Sequence, residues 1–357
     1  GLDGTVKRVS GVLPMLLKAV EEGIDCCMIP KENEEEAKIV RGMRCIPVRT
    51  LREAYDCICE LPKEKVVTGG GGQTEAEPVG DEIAYPVDFS QVTGQQQARR
   101  AAEIAAAGFH NFLLFGPPGS GKTMIAERIR TILPPMTYEE CIEVTKIRSV
   151  LGEMKERRTL VMERPYEPVH HLVTPQGLVG GGAVPVPGMI TRAHNGVLFL
   201  DELPEFGRAK LDLLRQPLEE KKIRIVRKQY ACEYQSDFML VAAMNPCPCG
   251  YFPDRNKCNC KMSEITSYLK RISGPLLDRF DISVRVGDVK WEQLQQKEKE
   301  EDSTVIRERV CSAYRFQMDR QNKLNSNLIS EEIERVCEMS REAREILQFS
   351  FSKNNKS

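Results

Sequence analysis

The segment Gly116-Pro117-Pro118-Gly119-Ser120-Gly121-Lys122-Thr123 carries the spacing Gly-x-x-x-x-Gly-Lys-Thr directly after the apolar run Phe112-Leu113-Leu114-Phe115. These residues suit a phosphate. Glycines let backbone N–H groups approach it closely, and the N-terminus of a following helix points its free amides the same way. Lys122 adds a point charge over the β and γ phosphates, and the Thr123 hydroxyl can ligate Mg²⁺, with Met124 next in the helix. The apolar run reads as a buried strand. Met124 to Leu133 reads as a helix, with Met124, Ile125, Ile129 and Leu133 able to share a face and Pro134-Pro135 ending it.

Three later stretches could complete such a site. Gly196-Val197-Leu198-Phe199-Leu200 reads as a buried strand ending in Asp201-Glu202. There Asp201 can hold Mg²⁺ and Glu202 can orient or deprotonate an attacking water. Taken alone, two adjacent acids could equally be a solvated turn. A strand from Phe238 to Ala243 leads to Asn245, whose amide can hydrogen-bond a γ-phosphate or the lytic water. Arg279, on a loop before a strand at Ile282 to Val286, could stabilise transition-state charge on a neighbouring subunit's nucleotide, or simply pair with Asp278 or Asp281.

Cys247-x-Cys249 and Cys258-x-Cys260 stand eight residues apart on a Gly/Pro-containing loop, a plausible tetrahedral Zn²⁺ set. Plain buried or redox-active thiols are the alternative. Lys221 to Lys228 alternates basic and apolar residues, so a hairpin would carry Lys222, Arg224, Arg227 and Lys228 toward a DNA backbone. A lysine-protected edge strand would look the same. The Gly/Pro-rich stretch 174–191 reads as an insertion projecting from the core. Upstream, Gly94-Gln95 opens an alanine-rich helix from Gln96 to Ala107, closed by Gly108 as a left-handed cap, in a segment that can cover an adenine.

The totals are those of an ordinary soluble protein: 357 residues, 41% hydrophobic, 29% charged, net charge -1. No global basic field exists, so any nucleic-acid contact must be local. No apolar run approaches the 18 or so residues a membrane span needs. Thirteen cysteines, an odd number spread along the chain, fit reduced thiols in a cytoplasm. Gly1-Leu2-Asp3-Gly4 reads as a hairpin turn belonging to a larger sheet, which suggests a fragment.

Four divisions follow. Residues 1–65 form a small α/β unit, with helices near Leu13 to Glu22, Glu32 to Arg41 and Leu51 to Cys59 and strands at Cys26 to Ile29 and Cys45 to Val48. Residues 66–84, with four consecutive glycines, read as a flexible linker. Residues 85–288 form an α/β core with a parallel sheet, including a helix Lys210 to Glu219, and 289–357 a partial helical lid.

Together Asp88-Phe89-x-x-Val92-x-Gly94-Gln95, the phosphate loop, Leu178-Val179-Gly180-Gly181-Gly182, GVLFLDELPEF (196–206), NPCPCG (245–250) and SGPLLDRFD (273–281) resemble AAA+ ATPases of the magnesium-chelatase-like YifB/ComM family. Gly11-Val12-Leu13-Pro14 and Ile29-Pro30-Lys31-Glu32-Asn33 are similar to the end of a Lon-protease-like, ribosomal S5 domain 2-like domain. The catalytic lysine of true Lon proteases is replaced here by Leu13 or Pro14, so proteolysis is not expected. The resemblance implies ATP and Mg²⁺ held by Gly94, Gln95, Lys122, Thr123, Asp201, Glu202 and Asn245, and Arg279 acting across an interface. It also implies a hexameric ring and, for ComM-type members, DNA branch migration in natural transformation. A magnesium-chelatase or MoxR-like protein remodeller is the alternative. Lids of this clade carry a later helix whose arginine contacts the γ-phosphate in cis, and no stretch before Ser357 matches it. Nucleotide binding is therefore expected from this chain more firmly than full-rate hydrolysis.

Overall fold

The computed structural model describes residues 1–59, 67–68, 85–154, 160–182, 185–226, 231–287 and 300–354. The linker expected over 66–84 lies outside the described residues except for 67–68, as do Arg227, Lys228 and the boundary expected at 288–289.

In the N-terminal unit β1 (Cys26–Pro30) and β2 (Arg44–Val48) pair in parallel, and β3 (Val67–Thr68) joins β2 antiparallel. Helices Val12–Glu21 and Leu51–Cys59 flank them. The helix expected from Glu32 to Arg41 is shorter: a 3-10 turn Lys31–Asn33, then Glu34–Ala37. Asn33 is the reason. Its buried amide bonds the Val9 backbone on both sides and donates to Glu36, diverting the chain from helical pairing. Val12, Leu13 and Leu16 share a core with Met154, and Ser149 donates to Glu36, so this unit is seated on the helix Tyr138–Val150 of the larger one.

The larger unit is built on a five-stranded all-parallel sheet in the order β12 (Ile282–Arg285), β4 (Phe112–Phe115), β11 (Met239–Met244), β8 (Val197–Leu200), β5 (Tyr166–Val169). Parallel strands covered on both faces read as continuous apolar runs, which FLLF, VLFL and MLVAAM are. Strand β5 is not legible in the same way because Pro168 interrupts it. It is tolerated because β5 is an edge strand, paired only to β8. Helices Gln96–Gly108, Lys122–Ile132 and Ser303–Gln321 cover one face. Ile125, Ile129 and Ile132 are fully buried there, each worth about 1.5–3 kcal/mol relative to exposure.

Several local expectations change. The left-handed residue closing the helix Gln96–Gly108 is Phe109, at φ 56°, not Gly108. A side chain at Gly108 would strike the His110 ring, so that glycine provides room, while Phe109 packs into the core. The phosphate-loop helix starts at Lys122, two residues earlier than read. The helix read from Lys210 to Glu219 is broken into Arg208–Leu211, a 3-10 turn Asp212–Leu214 and Arg215–Glu220. Pro217 falls in the first turn of the restarted helix, where its missing N–H leaves no bond unmade. The 174–191 stretch does not simply project. Leu178, Ile190 and Thr191 are buried on the second face of the sheet, around the short pair β6 (Gly180–Gly181) and β7 (Val186–Pro187).

The helix Ser303–Gln321 is fastened to the core. The Ser303 hydroxyl accepts from Phe89 N–H at 2.8 Å and from Thr131 at 2.7 Å, its own N–H donates to Asp88, and Arg309 bridges Glu103 and Glu301. Helices Ser330–Val336 and Arg341–Asn354 follow. Among the described residues no helix is long and apolar enough to cross a membrane.

Candidate nucleotide site

The sheet order sets β4, β11 and β8 side by side and parallel, so the loops after Phe115, Met244 and Leu200 emerge together. Crevices at the carboxyl ends of such strands are where α/β sheets bind ligands. Gly119 and Gly121, at φ 75° and 91°, take left-handed turns that bring the loop back to the helix start at Lys122. Gly116 must lack a side chain for a different reason: a Cβ there would collide with the Val286 carbonyl oxygen.

Lys122 is buried, at 8% exposure, and its ammonium donates to the carbonyls of Gly116 (2.9 Å) and Pro117 (2.8 Å) and to Asn245 Oδ1 (3.2 Å). Among the described ion pairs none involves this ammonium. Burial pushes its pKa down, against a pull upward from the Asp201 carboxylate. A desolvated cation met only by neutral oxygens is a site for an anion. Ser120 Oγ, in the same loop, is buried without a hydrogen-bond partner. The Thr123 hydroxyl donates to Asp201 Oδ2 at 2.9 Å, bringing the two oxygens read as Mg²⁺ ligands into one place. These donor types fit a nucleotide phosphate with a hard divalent cation.

Glu202 takes a left-handed backbone, φ 52°, immediately after Asp201. This turn separates the two adjacent acids: Asp201 meets Thr123 and the Glu202 N–H, while the Glu202 carboxylate lies 3.3 Å from His171 Nδ1. His171 was not among the residues read from the sequence. The signal for it, two histidines straight after a strand, was hidden because β5 itself was not legible. Tyr268 is a second such residue. Burial pushes its phenol up to about 12, with the Asn245 backbone pulling the other way.

Gln95 sits beside the loop, donating to the Ser120 (3.3 Å) and Gly287 (2.6 Å) carbonyls, while the Gly94 N–H is taken by Glu300. Met124 is 42% exposed at the helix start. Arg279 is not brought to this cluster. It lies before β12, at the sheet end opposite the phosphate loop, and pairs with Glu219 rather than Asp278 or Asp281, while its carbonyl accepts from Asn111. On the hairpin of β9 (Lys222–Val226) and β10 (Ala231–Gln235), Lys222 and Arg224 share a face, and both contact Glu233 across the strands at 2.8 Å. The Sγ atoms of Cys247, Cys249, Cys258 and Cys260 all lie within 4.8 Å of one another.

Residues 88–294 match the family described as magnesium chelatase, subunit ChlI, and 300–357 match the ChlI C-terminal family. The competence protein ComM of Haemophilus influenzae is 39% identical over 349 residues, 95% of this chain and 66% of that protein. YifB of Escherichia coli is 38% identical over 342 residues, 96% of this chain and 65% of that protein. Lon protease 2 of Bacillus subtilis is 25% identical over 168 residues, 44% of this chain and 30% of that one. The chain thus spans about two thirds of the length of ComM and YifB. With an all-parallel sheet that gathers a phosphate loop, two strand-end acids and an asparagine, the chain belongs to the magnesium-chelatase-like AAA+ ATPases of the YifB/ComM family.

Proposed function

We propose that the chain binds ATP with Mg²⁺ and hydrolyses it as one subunit of a cytoplasmic homo-oligomeric ring, a hexamer by family likeness, that works on DNA. The observation carrying the nucleotide half is the buried Lys122 ammonium with only neutral oxygens around it, beside the Thr123–Asp201 pair. Lys122 grips the β and γ phosphates, and the backbone N–H groups of Gly119, Ser120 and Gly121 wrap them, Pro117 and Pro118 having none to offer. Thr123 and Asp201 are the residues that would hold Mg²⁺, which when bound neutralises phosphate charge. Glu202 takes a proton from the attacking water, with His171 fixing its carboxylate. Asn245 reports the γ position to the strand β11 behind it. Arg279 faces away from its own phosphate loop, which fits a role toward an adjacent copy.

The DNA half rests on the YifB/ComM relationship, on Lys222 and Arg224 sharing one face of a hairpin, and on the 174–191 hairpin beside it. Glu233 moderates those cations, so they would exchange one anion for another on meeting a phosphate backbone. ATP turnover with and without single-stranded DNA tests this. Stimulation is expected, and Lys222→Ala with Arg224→Ala should reduce the salt slope of DNA binding by about 1.4, two contacts at ~0.7 each. No stimulation together with an unchanged slope would return the hairpin to an edge strand. Stimulation by an unfolded protein instead would favour a chelatase or MoxR-like remodeller.

A further inference from the structure

The loop between β11 and the helix Met262–Leu269 has no regular secondary structure, yet it folds back tightly on itself. Its internal turns include the bonds from Gly250 N–H to the Cys247 carbonyl, Asp254 N–H to Tyr251, and both Lys257 and Cys258 N–H to Asp254. The turns bring four thiols together. Cys247 Sγ lies 3.3 Å from Cys249 Sγ and 3.8 Å from Cys258 Sγ, too far for disulfide bonds of about 2.05 Å. Four sulfurs around a tetrahedral ion at ~2.3 Å sit ~3.8 Å apart, so these separations suit one metal ion. Cys247 and Cys258 are buried against Ile265 and Phe252, while Cys249 and Cys260 are half-buried. The Phe252 backbone N–H donates to Cys247 Sγ at 3.4 Å, a bond that suits a thiolate ligand.

The loop also touches the nucleotide site. Its first residue is Asn245, and its first thiol, Cys247, lies two residues on. Gly250, at φ 87°, lies so close to Pro118 of the phosphate loop that any side chain there would strike the proline ring. One short connection therefore reaches both the residue that contacts Lys122 and the loop that Lys122 closes.

We propose that Cys247, Cys249, Cys258 and Cys260 bind one Zn²⁺, and that this ion holds the loop against Pro118 and Asn245, so nucleotide affinity depends on the metal. The coupling rests on the nucleotide-site reading above; the metal site does not. Zinc acts here by position and touches no phosphate.

The test uses protein purified under reducing conditions without chelator, its metal content measured by mass spectrometry, and a fluorescent ATP analogue titrated before and after zinc is stripped with a mercurial and chelator. About one zinc per chain is expected. Stripping should weaken nucleotide binding about tenfold, within the usual range of coupling between sites, with recovery on adding Zn²⁺. Gly250→Ala keeps all four thiols and reads the contact between this loop and Pro118 on its own: it should retain zinc and still lose nucleotide affinity. Less than a tenth of a zinc per chain, or an equivalent of iron instead, overturns the metal assignment. Unchanged nucleotide affinity after stripping overturns the coupling, whatever Gly250→Ala does. If zinc-loaded wild type binds no nucleotide, the nucleotide reading and the coupling fall together, while one zinc per chain still supports the metal site.

Discussion

Glu202→Gln is expected to cut ATP hydrolysis by about 10²–10⁴-fold relative to the unaltered chain, the range for removing a general base, while leaving ATP affinity within about twofold. The split follows from geometry. Asp201 and Thr123 share a hydrogen bond, whereas the left-handed turn at Glu202 sends its carboxylate to His171 instead. Glutamine keeps the size and the contact with His171 but cannot accept a proton. Single-turnover hydrolysis beside equilibrium ATP binding reads both quantities. Equal loss of binding and hydrolysis would place Glu202 among the binding residues.

Arg279→Ala is the second substitution with a large expected effect, a loss of about 10³-fold or more if the guanidinium acts as an arginine finger. Its position before β12, at the opposite end of the parallel strands from Gly116, rules out a reach to its own phosphate loop. Arg279→Ala chains mixed with Glu202→Gln chains should therefore regain activity, because some interfaces would combine an intact Glu202 with an intact Arg279. No recovery at any ratio would leave Arg279 as the partner of Glu219 and nothing more.

The phosphate loop, its strand and its helix were legible because their signals are local: an apolar run, then glycines that set backbone conformation. The same held for β8 and β11, whose buried runs end at Asp201 and Asn245. What escaped depends on partners distant in the chain. Strand β5 contains Pro168 and is a strand only because β8 lies beside it, so His171 went unseen with it. Glu233 neutralises Lys222 and Arg224 only once the hairpin pairs, and alternation alone cannot reveal that. Gly108 reads as a cap from its residue type, whereas its actual constraint is the rotamer of the His110 ring two residues on, which residue types alone do not set.

The central claim is that Lys122 is a buried cation awaiting phosphate. Calorimetric titration of the wild-type chain and Lys122→Ala with ATP and Mg²⁺ tests it most directly. Loss of a charged hydrogen bond, about 1.5–3 kcal/mol, predicts ATP binding weaker by about 10- to 100-fold in the variant. Equally tight binding by both proteins would contradict it.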